Sequence, residues 1–191
     1  MTPKQLLDEV IPKKIAELAG IEVPNLDAEM QVTIEGDSGG TWTLSAKGGK
    51  PQVKSGAPAQ PIVVVKTNRQ AFDLGFQRGG QQALEMDITG PVQMALKLLP
   101  DGDKINMIRE QMSGTLLFKV TTTGGEALIG LGFNGDADLA NPRCSIETSE
   151  AELLEMRDAR MPPQQAFMAG KIRLSGDLSL AMTAGMLLAP M

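Results

Sequence analysis

The hydrophobic positions of this chain alternate between helical and extended periods. From Thr2 to Ala19, Leu6, Leu7, Val10, Ile11, Ile15 and Leu18 recur at helical spacing, and Gly20 ends the run. Pro12 lies inside it, and a kink or division is expected there because proline lacks the amide that bonds one turn back. Met30 to Glu35 and Thr41 to Lys47 alternate with a period of two. Met30, Val32 and Ile34 share one face of the first strand, and Trp42, Leu44 and Ala46 one face of the second. Asp37-Ser38-Gly39-Gly40 supplies the turn between them. Gly48 to Gln60 is rich in Gly and Pro and reads as a loop. Pro61 to Thr67 is a β-branched run, which predicts a strand buried on both faces. Asn68 reads as the N-cap of a short helix through Phe72 and Leu74 to Phe76. Gln82 to Thr89 reads as a fourth strand closed by Gly90. Pro91 then suits the first turn of a helix carrying Val92, Met94, Leu96, Leu98 and Leu99.

The pattern then restarts. Pro100-Asp101-Gly102-Asp103 interrupts that helix, and Ile105, Met107, Ile108 and Met112 resume helical spacing. Thr115 to Thr121 and Ala127 to Phe133 read as strands around the turn Thr123-Gly124-Gly125. Asn134 to Asn141 is a polar loop, and Pro142 to Thr148 a third strand. Ser149 caps a helix with Leu153, Leu154 and Met156, whose first-turn Glu150 and Glu152 match the positive end of the helix dipole. Ile172 and Leu174 lie in a fourth strand closed by Gly176, and a last helix carries Leu178, Leu180, Met182, Met186 and Leu187.

The two halves share this order, and local matches set a register. Gly39-Gly40 falls opposite Gly124-Gly125, Pro61 to Thr67 opposite Pro142 to Thr148, and Asn68 opposite Ser149. Ile88-Thr89-Gly90 falls opposite Leu174-Ser175-Gly176, and Met94-Ala95-Leu96 opposite Leu180-Ala181-Met182. Two related α+β units follow, residues 1–90 and 91–191, and the helix near 91–112 could serve both.

Composition then narrows the chemistry. The 191 residues include no His and no Tyr, which removes the commonest general base and metal ligand. Twelve methionines stand against five Phe and one Trp, and methionine suits cavities that accept varied apolar ligands. The net charge of −5 with no basic block argues against a nucleic-acid partner. No apolar run approaches the ~20 residues of a membrane span. The N-terminus lacks a signal-peptide pattern, so a cytoplasmic location is expected. The single Cys144 is expected to be a buried, inert thiol. Asp101-Gly102-Asp103 reads as a turn, because no further carboxylates follow at calcium-loop spacing. Glu150, Glu152 and Glu155 read as a solvated helix face, and Arg157 and Arg160 as exposed charges.

The stretch from Met161 to Met182 resembles the sterol carrier protein type 2 family. The residues that carry the likeness are Pro163-Gln164-Gln165-Ala166-Phe167, then Gly170-Lys171-Ile172-Arg173-Leu174-Ser175-Gly176, then Leu180-Ala181-Met182. The likeness covers about residues 112–191, and residues 1–90 look like a degenerate second copy lacking the Gly-Lys-Ile-Arg run. The resemblance implies an α+β fold in which helices cover a twisted five-stranded sheet and enclose an apolar tunnel. It implies a non-catalytic protein that binds a sterol, fatty acid, acyl-CoA or related lipid. Neither cofactor nor metal is expected. The expected tunnel residues are Phe118, Leu153, Leu154, Phe167, Met168, Ile172, Leu174, Leu178, Met182, Met186 and Leu187. The expected partner is a lipid or fatty acyl ligand, with transient membrane contact but no stable insertion, and the oligomeric state is left open. A structural or dimerising module of the same fold, with its tunnel filled by side chains, is the alternative.

Overall fold

The computed structural model describes residues 2–13, 26–46, 52–75, 102–157 and 163–188. The expected strand Gln82 to Thr89 and the helix starting at Pro91 lie outside the described residues. One eight-stranded sheet dominates the fold. Its strands are β1 (Leu26–Glu35), β2 (Gly40–Ala46), β3 (Gln52–Ser55), β4 (Val63–Asn68), β5 (Gly114–Thr122), β6 (Gly125–Phe133), β7 (Cys144–Ser149) and β8 (Arg173–Gly176), in the order β3-β2-β1-β4-β6-β5-β7-β8. The helices are α1 (Pro3–Gln5, continuing through a π turn at Leu6–Val10 to residue 13), α2 (Arg69–Gly75), α3 (Gly102–Gln111), α4 (Glu150–Arg157), α5 (Pro163–Met168) and α6 (Leu178–Leu188).

Helix α1 runs through Pro12. The π turn lies directly before it, and there the Ile11 amide reaches back to the Leu6 carbonyl. A widened turn next to a residue with no amide hydrogen lets the helix continue without a clash. Strand β3 departs from expectation, since Gly48 to Gln60 reads as loop. It is four residues long and bracketed by Gly and Pro, too short for its alternation to register in sequence. It forms by pairing Val53 with Leu44 and Gln52 with Ser45 on the edge of β2.

Registered pairs carry like residues across the sheet. β1 pairs antiparallel with β2 (Met30 with Leu44) and parallel with β4 (Met30 with Val63). β5 pairs antiparallel with β6 (Leu116 with Leu131) and parallel with β7 (Leu116 with Cys144). β4 and β6 join these groups antiparallel, through Val65 and Leu131. β4 is therefore central, and Val63 and Val64, which face opposite sides, are both buried. The resemblance implies five strands per unit; the described residues of both halves form a single sheet of eight strands.

One face of this sheet is apolar, and α1, α2, α3 and α6 lie over it. Trp42 donates its indole N–H to Asp8 of α1. Ala71 of α2 packs with Val120 and Ala127. Ile105, Ile108 and Met112 join a cluster with Met30 and Val63 on one side and Leu116, Phe133 and Cys144 on the other. Asn134 holds the end of α3 by donating to the carbonyls of Ile108 at 2.8 Å and Met112 at 2.7 Å. On the opposite face, Ala137 is fully buried and the Asp138 amide donates to the Thr115 hydroxyl at 2.9 Å, so the 134–143 loop lies against β5.

Candidate functional site: the apolar wall under and on the last helix

Strands β5, β7 and β8 line up three apolar side chains. Phe118 is in register with Ile146, and Ile146 with Leu174. All three are half-buried, and Phe118 and Ile146 pack on the main core. Above this row lies α6, Leu178–Leu188, which carries no charged residue. Its inner side places Leu180 and Ala184 in the core at 4% and 1% exposure, beside Leu116, Met112 and Cys144. Ala181 and Leu187 pack against that cluster. Its outer side carries Leu178, Met182 and Met186, four residues apart and 49%, 71% and 65% exposed. Four-residue spacing forms one stripe on a helix.

The segment before β8 adds to the same surface. Ser149 caps α4 in a reciprocal pair: its hydroxyl accepts from the Glu152 amide at 3.3 Å, and the Glu152 carboxylate accepts from the Ser149 amide at 2.9 Å. The Ser149 hydroxyl, with its amide, holds the Glu152 carboxyl below its ordinary range. Thr148 donates to the Lys171 carbonyl at 3.0 Å, and the Lys171 ammonium meets Glu155 at 2.7 Å. Glu155 thus ties α4 to the α5–β8 connection, while Glu152 caps its own helix. Helix α5 ends on Gly170, whose φ of +71° suits glycine. The Lys171 amide bonds the Ala166 carbonyl and the Gly170 amide bonds that of Phe167, the double bond of a glycine-terminated helix. This turn buries Ala166 completely and leaves Phe167 and Met168 exposed.

The expected tunnel residues therefore separate into two sets. Phe118, Leu154, Ile172, Leu174 and Leu187 are half-buried. Leu153, Phe167, Met168, Leu178, Met182 and Met186 are exposed. Met112, Leu116, Cys144, Ile146, Leu180 and Ala184 belong to the wall as well, although they are not among the expected tunnel residues. Their signal in the sequence is the alternation of Cys144 and Ile146 and the helical spacing of Leu180, Ala184 and Leu187. Ile172 precedes β8 by one residue instead of lying in it.

Charge is confined to the rim. Asp177 opens α6, and its carboxyl is pulled down to about 2 by the Ser179 hydroxyl, then by Arg143. Burial raises the Cys144 thiol above its ordinary range, which favours the protonated form. Two open clefts of about 730 and 630 Å³ lie elsewhere. One lies between Arg69, Asp73, Thr122 and Glu150, and the other between Gln31, Pro58, Gln60 and Asn134. Among the described residues no group of three or more Cys, Asp or Glu is placed to hold a metal ion. No described helix is long and apolar enough to cross a membrane.

Comparison with known proteins bears on the half that contains this wall. Residues 103–189 match the SCP-2 sterol transfer family. Among solved structures, the chain is similar to Sterol Carrier Protein 2 Like 2 from Aedes aegypti, at 18% identity over 56% of this chain and 98% of that one, with a TM-score of 0.35. It is also similar to the sterol carrier protein domain 2 of Helicoverpa armigera, at 22% identity over 50% and 82% of the two chains, with a TM-score of 0.34. Sterol Carrier Protein 2 from Yarrowia lipolytica, in its apo form, matches at 16% identity over 43% and 76%, with a TM-score of 0.31. No curated relative matches the chain.

Proposed function

We propose, from the match of residues 103–189 to the SCP-2 sterol transfer family, that this chain binds and carries an apolar lipid of the sterol, fatty acid or acyl-CoA class without altering it. The observation that carries this reading is α6. An uncharged, strongly apolar helix is ordinarily buried over most of its surface. This one has its inner side in the core and its Leu178–Met182–Met186 stripe exposed. An exposed apolar surface beside a half-buried apolar row suits an amphiphile whose chain enters and whose polar end stays in water. In this reading Phe118, Leu154, Ile172, Leu174 and Leu187 line the inner wall. Leu153, Phe167, Met168, Leu178, Met182 and Met186 form the mouth, where flexible methionines adapt to varied chains. The protein acts in the cytoplasm and touches membranes only transiently.

The same reading treats residues 1–90 as a related unit that serves as a structural partner. Support comes from the registers. β1, β2, β4 and α2 repeat the pairing of β5, β6, β7 and α4, each with a capped helix directly after the parallel strand. β6 takes beside β4 the antiparallel place that β8 takes beside β7.

Titration with a fluorescent long-chain fatty acid tests the carrier reading. Saturable uptake is expected, and replacing Met182 or Phe167 with Lys weakens it about tenfold or more while the urea midpoint holds. A folded protein that takes up neither acyl nor sterol probe contradicts it. One observation favours a second reading, a structural module with a filled core. Leu180 and Ala184 of α6 share one core with Met112, Leu116 and Cys144, each below 5% exposure. That reading predicts no uptake by any variant.

A further inference from the structure

The oxidisable side chains of this protein divide sharply by exposure. The sequence holds no His and no Tyr, and only one Cys and one Trp. Cys144 is fully buried, and Trp42 is buried with its indole N–H given to Asp8. Burial also favours the protonated Cys144 thiol over the thiolate that oxidants attack. That leaves the thioethers. Met30 and Met112 are buried, and Met107 and Met156 are half-buried. Met168, Met182 and Met186 are exposed, Met168 most of all at 87%. Among the described residues, these three are the readily oxidised groups most open to water.

Their places matter as much as their exposure. Met182 and Met186 share the outer stripe of α6, and Met168 follows Phe167 at the exposed end of α5. A sulfoxide on the α6 stripe finds no donor in its own helix. The helix carries no Lys or Arg, and both of its hydroxyls are engaged. Ser179 donates to Asp177 at 2.5 Å, and Thr183 donates to the Ser179 carbonyl at 2.9 Å. A hydroxyl has one proton to give, so neither is left for a sulfoxide oxygen. That oxygen keeps its water, and an apolar chain laid over it removes the water with no bond in return. The inner side of the helix is untouched, since Leu180 and Ala184 hold the core. Oxidation therefore changes the outer surface and spares the fold.

We propose that Met168, Met182 and Met186 form a modification site for hydroperoxides, at which oxidation to the sulfoxide ends capture of an apolar chain and reduction restores it. The effect on capture rests on the lipid-carrier reading above; the site of oxidation does not. Each thioether sulfur attacks the outer oxygen of the peroxide. An S–O bond forms and the O–O bond breaks. The departing oxygen takes the proton of the transferred one and leaves as water or an alcohol. The sulfur loses two electrons and the peroxide gains two. The return step consumes a dithiol, which carries the oxygen away as water and is left as a disulfide. Two methionine sulfoxide reductases serve the two sulfoxide epimers.

Hydrogen peroxide applied to the full chain tests both parts. Peptide mass spectrometry over a time course is expected to find sulfoxide at Met168, Met182 and Met186 about tenfold faster than at Met30 and Met112, since susceptibility follows exposure. Affinity for a fluorescent long-chain fatty acid is expected to fall about tenfold as these three oxidise, while the urea midpoint holds. The two reductases with dithiothreitol are expected to restore it. A variant combining Met168→Leu, Met182→Leu and Met186→Leu is read against itself before and after peroxide, and its affinity is expected not to move. Equal oxidation of buried and exposed methionines overturns the site. Fully oxidised protein that binds the probe as before overturns the effect on capture and leaves the carrier reading standing. So does a loss that the reductases do not reverse, or one that recurs in the leucine variant. A wild type that takes up no fatty acid before peroxide overturns the effect on capture and the carrier reading together, while the map of sulfoxides still decides the site.

Discussion

Leu180 and Met182 stand two residues apart on the same uncharged helix, yet one is 4% exposed and the other 71%. Two positions of a helix differ by about 200° around its axis, so burial of one puts the other on the far side. The pair separates two roles within one apolar segment, one of cohesion and one of contact.

The first prediction follows from that pair. Leu180→Ala deletes side-chain volume between Leu116, Cys144 and Met112 and should cost about 2–4 kcal/mol in urea unfolding. Met182→Ala should change stability by less than about 0.5 kcal/mol while weakening uptake of a fatty acyl probe. Equal destabilisation by the two would mean that the outer stripe is packed.

A second prediction concerns the corner at Gly176. Its φ is +89°, and a methyl carbon placed on it would come within 2.3 Å of the Arg143 carbonyl oxygen, which leaves no room for a side chain. Gly176→Ala should therefore destabilise by about 2 kcal/mol or more, combining backbone strain with a displaced α6. Gly135 has open space around it and a φ outside the left-handed region, so it should accept alanine within about 0.5 kcal/mol. Differential scanning calorimetry of both variants distinguishes them.

The acid limb of stability gives a third. The Ser179 hydroxyl and Arg143 hold the Asp177 carboxyl at about 2, below its ordinary 3.8. A carboxyl depressed in the folded state contributes stability that is complete above the unfolded value and is lost as pH falls through the folded one. The Asp177 contribution is therefore intact from neutral pH to about 4 and disappears toward about 2. Asp177→Asn should flatten the urea-midpoint profile over that window and leave its shape above pH 5 unchanged. Carboxyl NMR should place the Asp177 midpoint near 2.

The capping pair on α4 gives a fourth. Ser149→Ala removes the acceptor for the Glu152 amide and the main cause of the lowered Glu152 carboxyl. A loss of about 1 kcal/mol is expected, together with an upward move of the Glu152 titration by NMR. An unmoved Glu152 would show that the reciprocal bond does not form in solution.

Much of this arrangement is legible in the residues. Alternation locates β1, β2, β5 and β6, and the β-branched run from Pro61 locates the central strand. Asn68 and Ser149 read as caps because each precedes a change from period two to period 3.6, and both do bond the amide three residues on. β3 is hidden because four residues carry too little period, and its formation depends on the edge of β2. The inner wall is hidden for another reason. Leu180 and Met182 are chemically alike, and only the direction of α6 over the sheet decides which one joins the core that holds Cys144 and Leu116. The pairing of β4 with β6 joins segments about 60 residues apart and leaves no local trace.

The most direct test of lipid carriage is native mass spectrometry of the delipidated protein mixed with a long-chain fatty acid. The account predicts a folded species carrying one acyl chain, diminished in Met182→Lys and preserved in a surface control such as Lys54→Ala. A folded protein that stays bare at every lipid concentration, with the wild type and Met182→Lys alike, would contradict it.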